Sequence, residues 1–145
     1  MTIDQEVDQE LVDAAIALAR ARFPGQEWSG AAALRLDDGS VLTSIAPDFP
    51  NNAVRLCHET GAICEAFKLG RRVVASVCVT LADQGRGYWI LAPCGVCQER
   101  LFAHGPDVAV AVPQGADPRH WRSLRLREVQ PHWFGRVFPE DGWPY

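Results

Sequence analysis

The chain has 145 residues, a formal net charge of −4, and 48% hydrophobic against 22% charged residues, which predicts one domain spanning residues 1–145. No apolar run approaches the ~20 residues of a membrane span, and the acidic start, Met1 to Glu10, lacks a basic-then-apolar signal pattern, so a cytoplasmic protein is expected. The mild acidity also argues against a nucleic-acid polymer as partner, although all but Lys68 of the 14 basic residues are Arg and could cluster.

In chain order, Val7, Leu11, Ala14, Ala15 and Leu18 recur at helical spacing and predict a helix from Val7 to Phe23, stopped by Pro24-Gly25. Ala31 to Leu36 and Ser40 to Ile45 flank Asp37-Asp38-Gly39, a hairpin signal. Ala46 to Arg55, with two prolines and two asparagines, reads as a loop. Cys57 to Leu69 is expected as a helix ending at Gly70, half-buried through Ile63, Ala66 and Phe67. Val73 to Leu81 and Tyr88 to Leu91 predict buried strands. Pro93 then opens a helix through Ala103, and Val108 to Val112 predicts a further strand. Leu126 to Tyr145 is aromatic and irregular. Strands alternating with helices indicate a layered α/β domain.

Cysteine usage carries the chemistry. Five cysteines, Cys57, Cys64, Cys78, Cys94 and Cys97, form an odd set without a secretory context, which favours metal or catalytic use over disulfides. Cys94-Gly95-Val96-Cys97 has a spacing suited to tetrahedral zinc, and Cys57 is a candidate third ligand. Three protein ligands leave a position open for water, as in catalytic sites. Cys57 and Cys94 each fall at the start of an expected helix, whose free N–H groups and partial positive charge favour thiolate. Zinc acidifies the water it holds. Glu59, two residues past Cys57, is placed to take a proton from water and return it to a substrate nitrogen. A three-cysteine zinc site with an acid/base glutamate is the known arrangement of nucleobase deaminases.

On Cys57-x-Glu59 followed by Pro93-Cys94-x-x-Cys97, the chain resembles the cytidine deaminase family. Gly30-Ala31-Ala32-Ala33 before the hairpin and Glu128-Val129-Gln130-Pro131-x-x-Phe134-Gly135 near the end extend the likeness over most of the chain. Cysteine rather than histidine at position 57 is similar to the branch of small nucleoside and blasticidin S deaminases, which implies a free small-molecule substrate. The resemblance implies a three-layer α/β domain whose mixed sheet of about five strands carries helices on both faces. It further implies a zinc-dependent hydrolytic deaminase of cytidine or deoxycytidine, working as a homotetramer or homodimer.

Several positions depart from the family's pattern. His58 stands where alanine or valine is usual, a place whose backbone N–H helps hold the pyrimidine carbonyl. Thr60 replaces an arginine that offsets the charge of three thiolates; Arg55, His58 and Arg100 are the candidates to compensate. The family's ribose-binding Asn-x-Glu corresponds to Ala46-x-Asp48, so Asp48 is a candidate substrate contact while Ala46 cannot replace an amide. Such a buried polar contact is worth about 1–3 kcal/mol, enough to redirect specificity toward a modified or non-ribosyl cytosine derivative such as blasticidin S. Gln98-Glu99 likewise replaces the usual Arg-Gln.

Plainer readings stand beside these. The three cysteines could hold a structural zinc in a non-catalytic binding module, or be buried free thiols. His58 is an alternative fourth ligand, although neighbouring helical residues point apart. Cys64 and Cys78 are expected as inert core residues. Trp121, Trp133, Phe134, Phe138, Trp143 and Tyr145 serve either packing or a subunit contact. His104 and His120 carry no signal.

Overall fold

Asp8 caps the first helix, α1 (Gln9–Arg22), by accepting the Leu11 N–H at 2.9 Å. The helix therefore starts at Gln9 rather than at Val7, and it turns Leu11, Val12, Ala15, Ile16 and Ala19 inward. The same carboxylate receives both arms of the buried Arg35 guanidinium at 3.0 and 3.1 Å, which fastens α1 to the sheet. In this computed structural model the described residues are 6–139.

Strands β1 (Gly30–Leu36) and β2 (Val41–Ser44) form the expected antiparallel hairpin, with Gly39 at φ 86°, where a side chain is disfavoured. β3 (Val73–Ala82) is buried along its whole length. One of its edges takes β1 antiparallel. The other takes β5 (Ala109–Gln114) in parallel near its start and β4 (Gly87–Leu91) antiparallel toward its end. A further strand, β6 (Asp117–Arg125), pairs antiparallel with β5 and completes a mixed 6-stranded sheet. Apolar periodicity does not reveal β6, because the strand is polar at most positions and nowhere fully buried.

Alternation along the strands builds two cores. Ala33, Val77, Val79, Ala109 and Ala111 face α1, whereas Ala32, Leu34, Val110 and Val112 face α2 (Thr60–Lys68) and α3 (Gly95–Phe102). Helices thus cover both faces, as the resemblance implies. α2 starts at Thr60, later than expected, and leaves Cys57 in the turn before it. It buries Ala62 and Ala66. Cys64 and Phe67, one helical turn apart, share the outward side; Cys64 is exposed rather than the expected core residue, and Phe67, at 69% exposed, is not on the buried side expected from the apolar positions.

Beyond β6 and a short helix, α4 (Leu126–Val129), the chain folds back onto α3. Trp133 stacks on Phe102 with centroids 4.3 Å apart and donates its Nε1–H to Glu99 at 2.8 Å. Trp121 packs beside the α1 core, while Phe134 and Phe138 are exposed. Trp143 and Tyr145 lie outside the described residues. No helix among the described residues is long and apolar enough to cross a membrane.

His104, silent in the sequence, ties the end of α3 to the start of β3: its Nδ1 accepts the Val73 N–H at 3.0 Å. Burial, with a further push from the Arg72 charge, lowers its pKa from 6.5 to about 4. A folded-state value below the unfolded one means that protonation favours unfolding. Stability is therefore expected to be complete above pH 6.5 and to fall toward pH 4. The slope is roughly 1.4 kcal/mol per pH unit and the total loss about 3 kcal/mol. Urea unfolding across this range checks it, because His104→Asn keeps an acceptor without titrating and is expected to remove that component of the slope.

Candidate active site

The turn before α2 and the first turn of α3 bring three thiols to one place. The sulfurs of Cys57, Cys94 and Cys97 all lie within 4.8 Å of one another. Cys57 Sγ and Cys94 Sγ are 3.2 Å apart, sharing a proton that either can donate. Cys94 is the N-cap of α3, as expected, and Cys97 is fully buried within that helix. Pro93 precedes the cap rather than opening the helix, and its carbonyl accepts the Gln98 side-chain amide at 2.8 Å. Three converging sulfurs are a donor set that suits zinc, and a tetrahedral ion held by three protein ligands takes a fourth from solvent or substrate.

Glu59 sits at the N-cap of α2 and is 4% exposed. Its Oε2 accepts the Cys97 thiol at 3.4 Å. A carboxylate is thus held against the sulfur cluster from the buried side. Among the three thiols, burial pushes Cys57 up, and its hydrogen bond with Cys94 adds to this. Burial followed by the Glu59 charge drives Cys97 far up. Burial also opposes ionisation of Cys94, but the backbone N–H of Cys97, the Cys57 thiol and the backbone N–H of Val96 outweigh it and hold Cys94 below its ordinary value. The helix-start argument therefore describes Cys94 well. It does not describe Cys57, which lies outside the helix.

Cys78 is buried in β3, as expected. Burial raises its thiol strongly, and the charges of Glu59, Cys57 and Cys94 add to the shift; opposite Ala32 in the β1–β3 register, it lies on the sheet face covered by α2 and α3. His58, between Cys57 and Glu59, is not part of the group of converging donor atoms, and its ring is engaged elsewhere. Its Nδ1 accepts the Ala46 N–H at 3.1 Å, and its carbonyl accepts the Ser44 hydroxyl. Burial pushes the imidazole pKa down despite the nearby Glu59 charge. His58 is therefore not a fourth donor in this arrangement. Asp48 stays exposed, 3.5 Å from Arg55 in a solvent-facing ion pair. Arg100, one turn beyond Cys97, donates to the Thr60 hydroxyl at 2.9 Å and so reaches the residue after Glu59.

A mixed sheet between helices, with a sulfur triad and a buried carboxylate where two helices start, defines the class of hydrolytic deaminases. Comparison with known proteins narrows that class. Cytidine deaminase of Mycobacterium tuberculosis is 31% identical over 120 residues, covering 82% of each chain. Blasticidin-S deaminase of Bacillus cereus is 25% identical over 109 residues, covering 72% of this chain and 78% of its own. The crystal structure of cytidine deaminase from Bacillus anthracis superposes with a TM-score of 0.81 at 40% identity, over 90% of this chain and 91% of that one. No protein-family model matches. The chain belongs to the cytidine deaminase family.

Proposed function

We propose that this chain is a zinc-dependent deaminase that converts a free cytidine-like aminopyrimidine nucleoside to the uridine-like product and ammonia. The observation that carries the reading is the juxtaposition of Cys57, Cys94 and Cys97, within 4.8 Å of one another, with the Glu59 carboxylate 3.4 Å from Cys97. Cys57, Cys94 and Cys97 would hold the ion. When bound, zinc supplies Lewis acidity that makes water nucleophilic near neutral pH. Glu59 takes the proton released as the water oxygen attaches to the ring carbon bearing the amino group. It then delivers a proton to the amino nitrogen, and the C–N bond breaks to release ammonia. The backbone N–H of His58 is assigned to the pyrimidine carbonyl.

Three thiolates on a divalent cation carry one net negative charge, and Glu59 adds another. Of the three groups considered to offset this charge, His58 uses Nδ1 as an acceptor and burial pushes its pKa down, and Arg55 is turned to Asp48. Arg100, fixed on Thr60, is the one placed at the start of α2 beside the cluster. The exposed Phe134 and Phe138 support a subunit contact, in line with a homotetramer.

A second reading, deamination of a modified or non-ribosyl cytosine derivative, is favoured by Ala46, whose backbone is held by His58 and whose side chain offers no polar group to a sugar. Ammonia release from cytidine, deoxycytidine, cytosine and blasticidin S separates the readings. Release from the nucleosides is expected. Release from blasticidin S alone selects the second reading, and release from none overturns both.

A further inference from the structure

The His58 side chain lies within the candidate site but takes no part in the proton and metal chemistry assigned to it. Two hydrogen bonds at His58 and one close approach at Gly61 join the start of α2 and the turn before it to Ser44 and Ala46. The Ser44 hydroxyl donates to the His58 carbonyl, the Ala46 N–H donates to His58 Nδ1 at 3.1 Å, and Gly61 lies so close that a Cβ there would stand 3.1 Å from Ser44 Cβ. Because Nδ1 accepts, the neutral ring carries its proton on Nε2. That edge rests against Gly30, where a Cβ would come within 3.0 Å of Nε2. A side chain at position 30 would meet this ring as well as the Val79 carbonyl.

The consequence falls on the segment between these anchors. From Ala46 to Leu56 the chain is irregular apart from one 3-10 turn, Asn52–Val54. Its far end runs straight into Cys57, and Val54 and Leu56, just before that cysteine, are 52% and 43% exposed. His58 joins the near end, Ala46, to the turn that carries the far end. A long excursion is thereby closed by a hydrogen bond to the side chain of the residue that follows Cys57.

We propose that His58 is a positioning residue for substrate binding: by holding the Ala46 N–H it closes the 46–56 segment into a fixed rim beside the thiols. The inference rests on the deaminase reading above. Without this tie the rim samples many arrangements, and substrate must order it on binding. The cost then falls on binding, because Glu59 and the three cysteines are held by other contacts.

The zinc-loaded full chain tests this with cytidine as substrate. His58→Phe keeps a ring but removes the acceptor, whereas His58→Asn places Oδ1 the same number of bonds from the backbone as Nδ1. In His58→Phe the Ala46 amide is expected to exchange with solvent about 10-fold faster and KM to rise about 10-fold, with kcat within about twofold and zinc content unchanged. His58→Asn is expected to restore both protection and KM. Ala46→Pro removes the same hydrogen bond from the donor side and is expected to raise KM in the same way, including when His58→Phe does not fold. An unchanged KM with the hydrogen bond removed overturns the proposal, as does a loss confined to kcat or to zinc content, or a failure of Asn to rescue. A zinc-loaded wild-type chain that releases no ammonia from any of the four substrates overturns the deaminase reading and this inference together. Activity with an unmoved KM overturns the role of His58 alone.

Discussion

Glu59→Gln is expected to lower turnover by about 10²–10⁴-fold while leaving fold and bound zinc in place. The substitution exchanges a carboxylate for an amide of nearly the same shape at a position 4% exposed, so packing is preserved. Helix α2 loses no cap, because the Glu59 side chain makes no capping bond. The Glu59 carbonyl still accepts the Ile63 N–H at 3.0 Å, which keeps the first helical turn intact. What disappears is a group able to accept a proton beside the sulfur cluster. Steady-state ammonia release, zinc content by elemental analysis and a circular dichroism melt together check the result. Unchanged turnover would remove Glu59 from the chemistry, and loss of zinc would show that it holds the ion instead. A chain that binds zinc but behaves identically with Glu or Gln in every assay would be a zinc-stabilised binding module.

The legible parts of this site are those encoded by short spacing. Cys94 and Cys97 sit one helical turn apart, and Glu59 follows Cys57 closely, so local geometry alone places each pair. That Cys57 meets the other two is a long-range fact: the need for a third ligand and an expected helix start make it a candidate, and the family resemblance supports the same choice. The same division runs through the fold. β3 announces itself by an unbroken β-branched and apolar run, whereas β6 is an edge strand whose polar residues face solvent. Cys64 is exposed rather than core because the buried face of α2 runs through Ala62 and Ala66, and a cysteine in an apolar helix does not by itself reveal which face that is. The face of the sheet on which Cys78 lies depends on the register of β3 against its neighbours. His58 was the least legible residue. Its partners are a backbone N–H at Ala46 and the space left by Gly30, and neither carries a side chain that could signal the contact.

Removal of zinc is expected to abolish turnover without unfolding the chain. The core between α1 and the sheet, built from Leu11, Val12, Ala15, Val77 and Val79, contains none of the three thiols. A domain of this size does not depend on a metal for its core. Binding to the folded state alone still adds stability, roughly 4 kcal/mol at a thousandfold excess over Kd. The metal-free chain is therefore expected to melt cooperatively about 10 °C lower. Retention of zinc should also weaken as pH falls. Burial holds the Cys57 and Cys97 thiols above their ordinary values, so both release protons when they bind the ion, and acid returns those protons. Cys94, held below its ordinary value, contributes less to this dependence. Chelator-driven zinc loss, followed by elemental analysis and by recovery of activity on adding zinc back, is accordingly expected to be more complete at about pH 6 than at about pH 8. Activity that survives complete removal of the metal would overturn the assignment of these cysteines to the reaction. A non-cooperative melt would instead make the ion part of the scaffold itself.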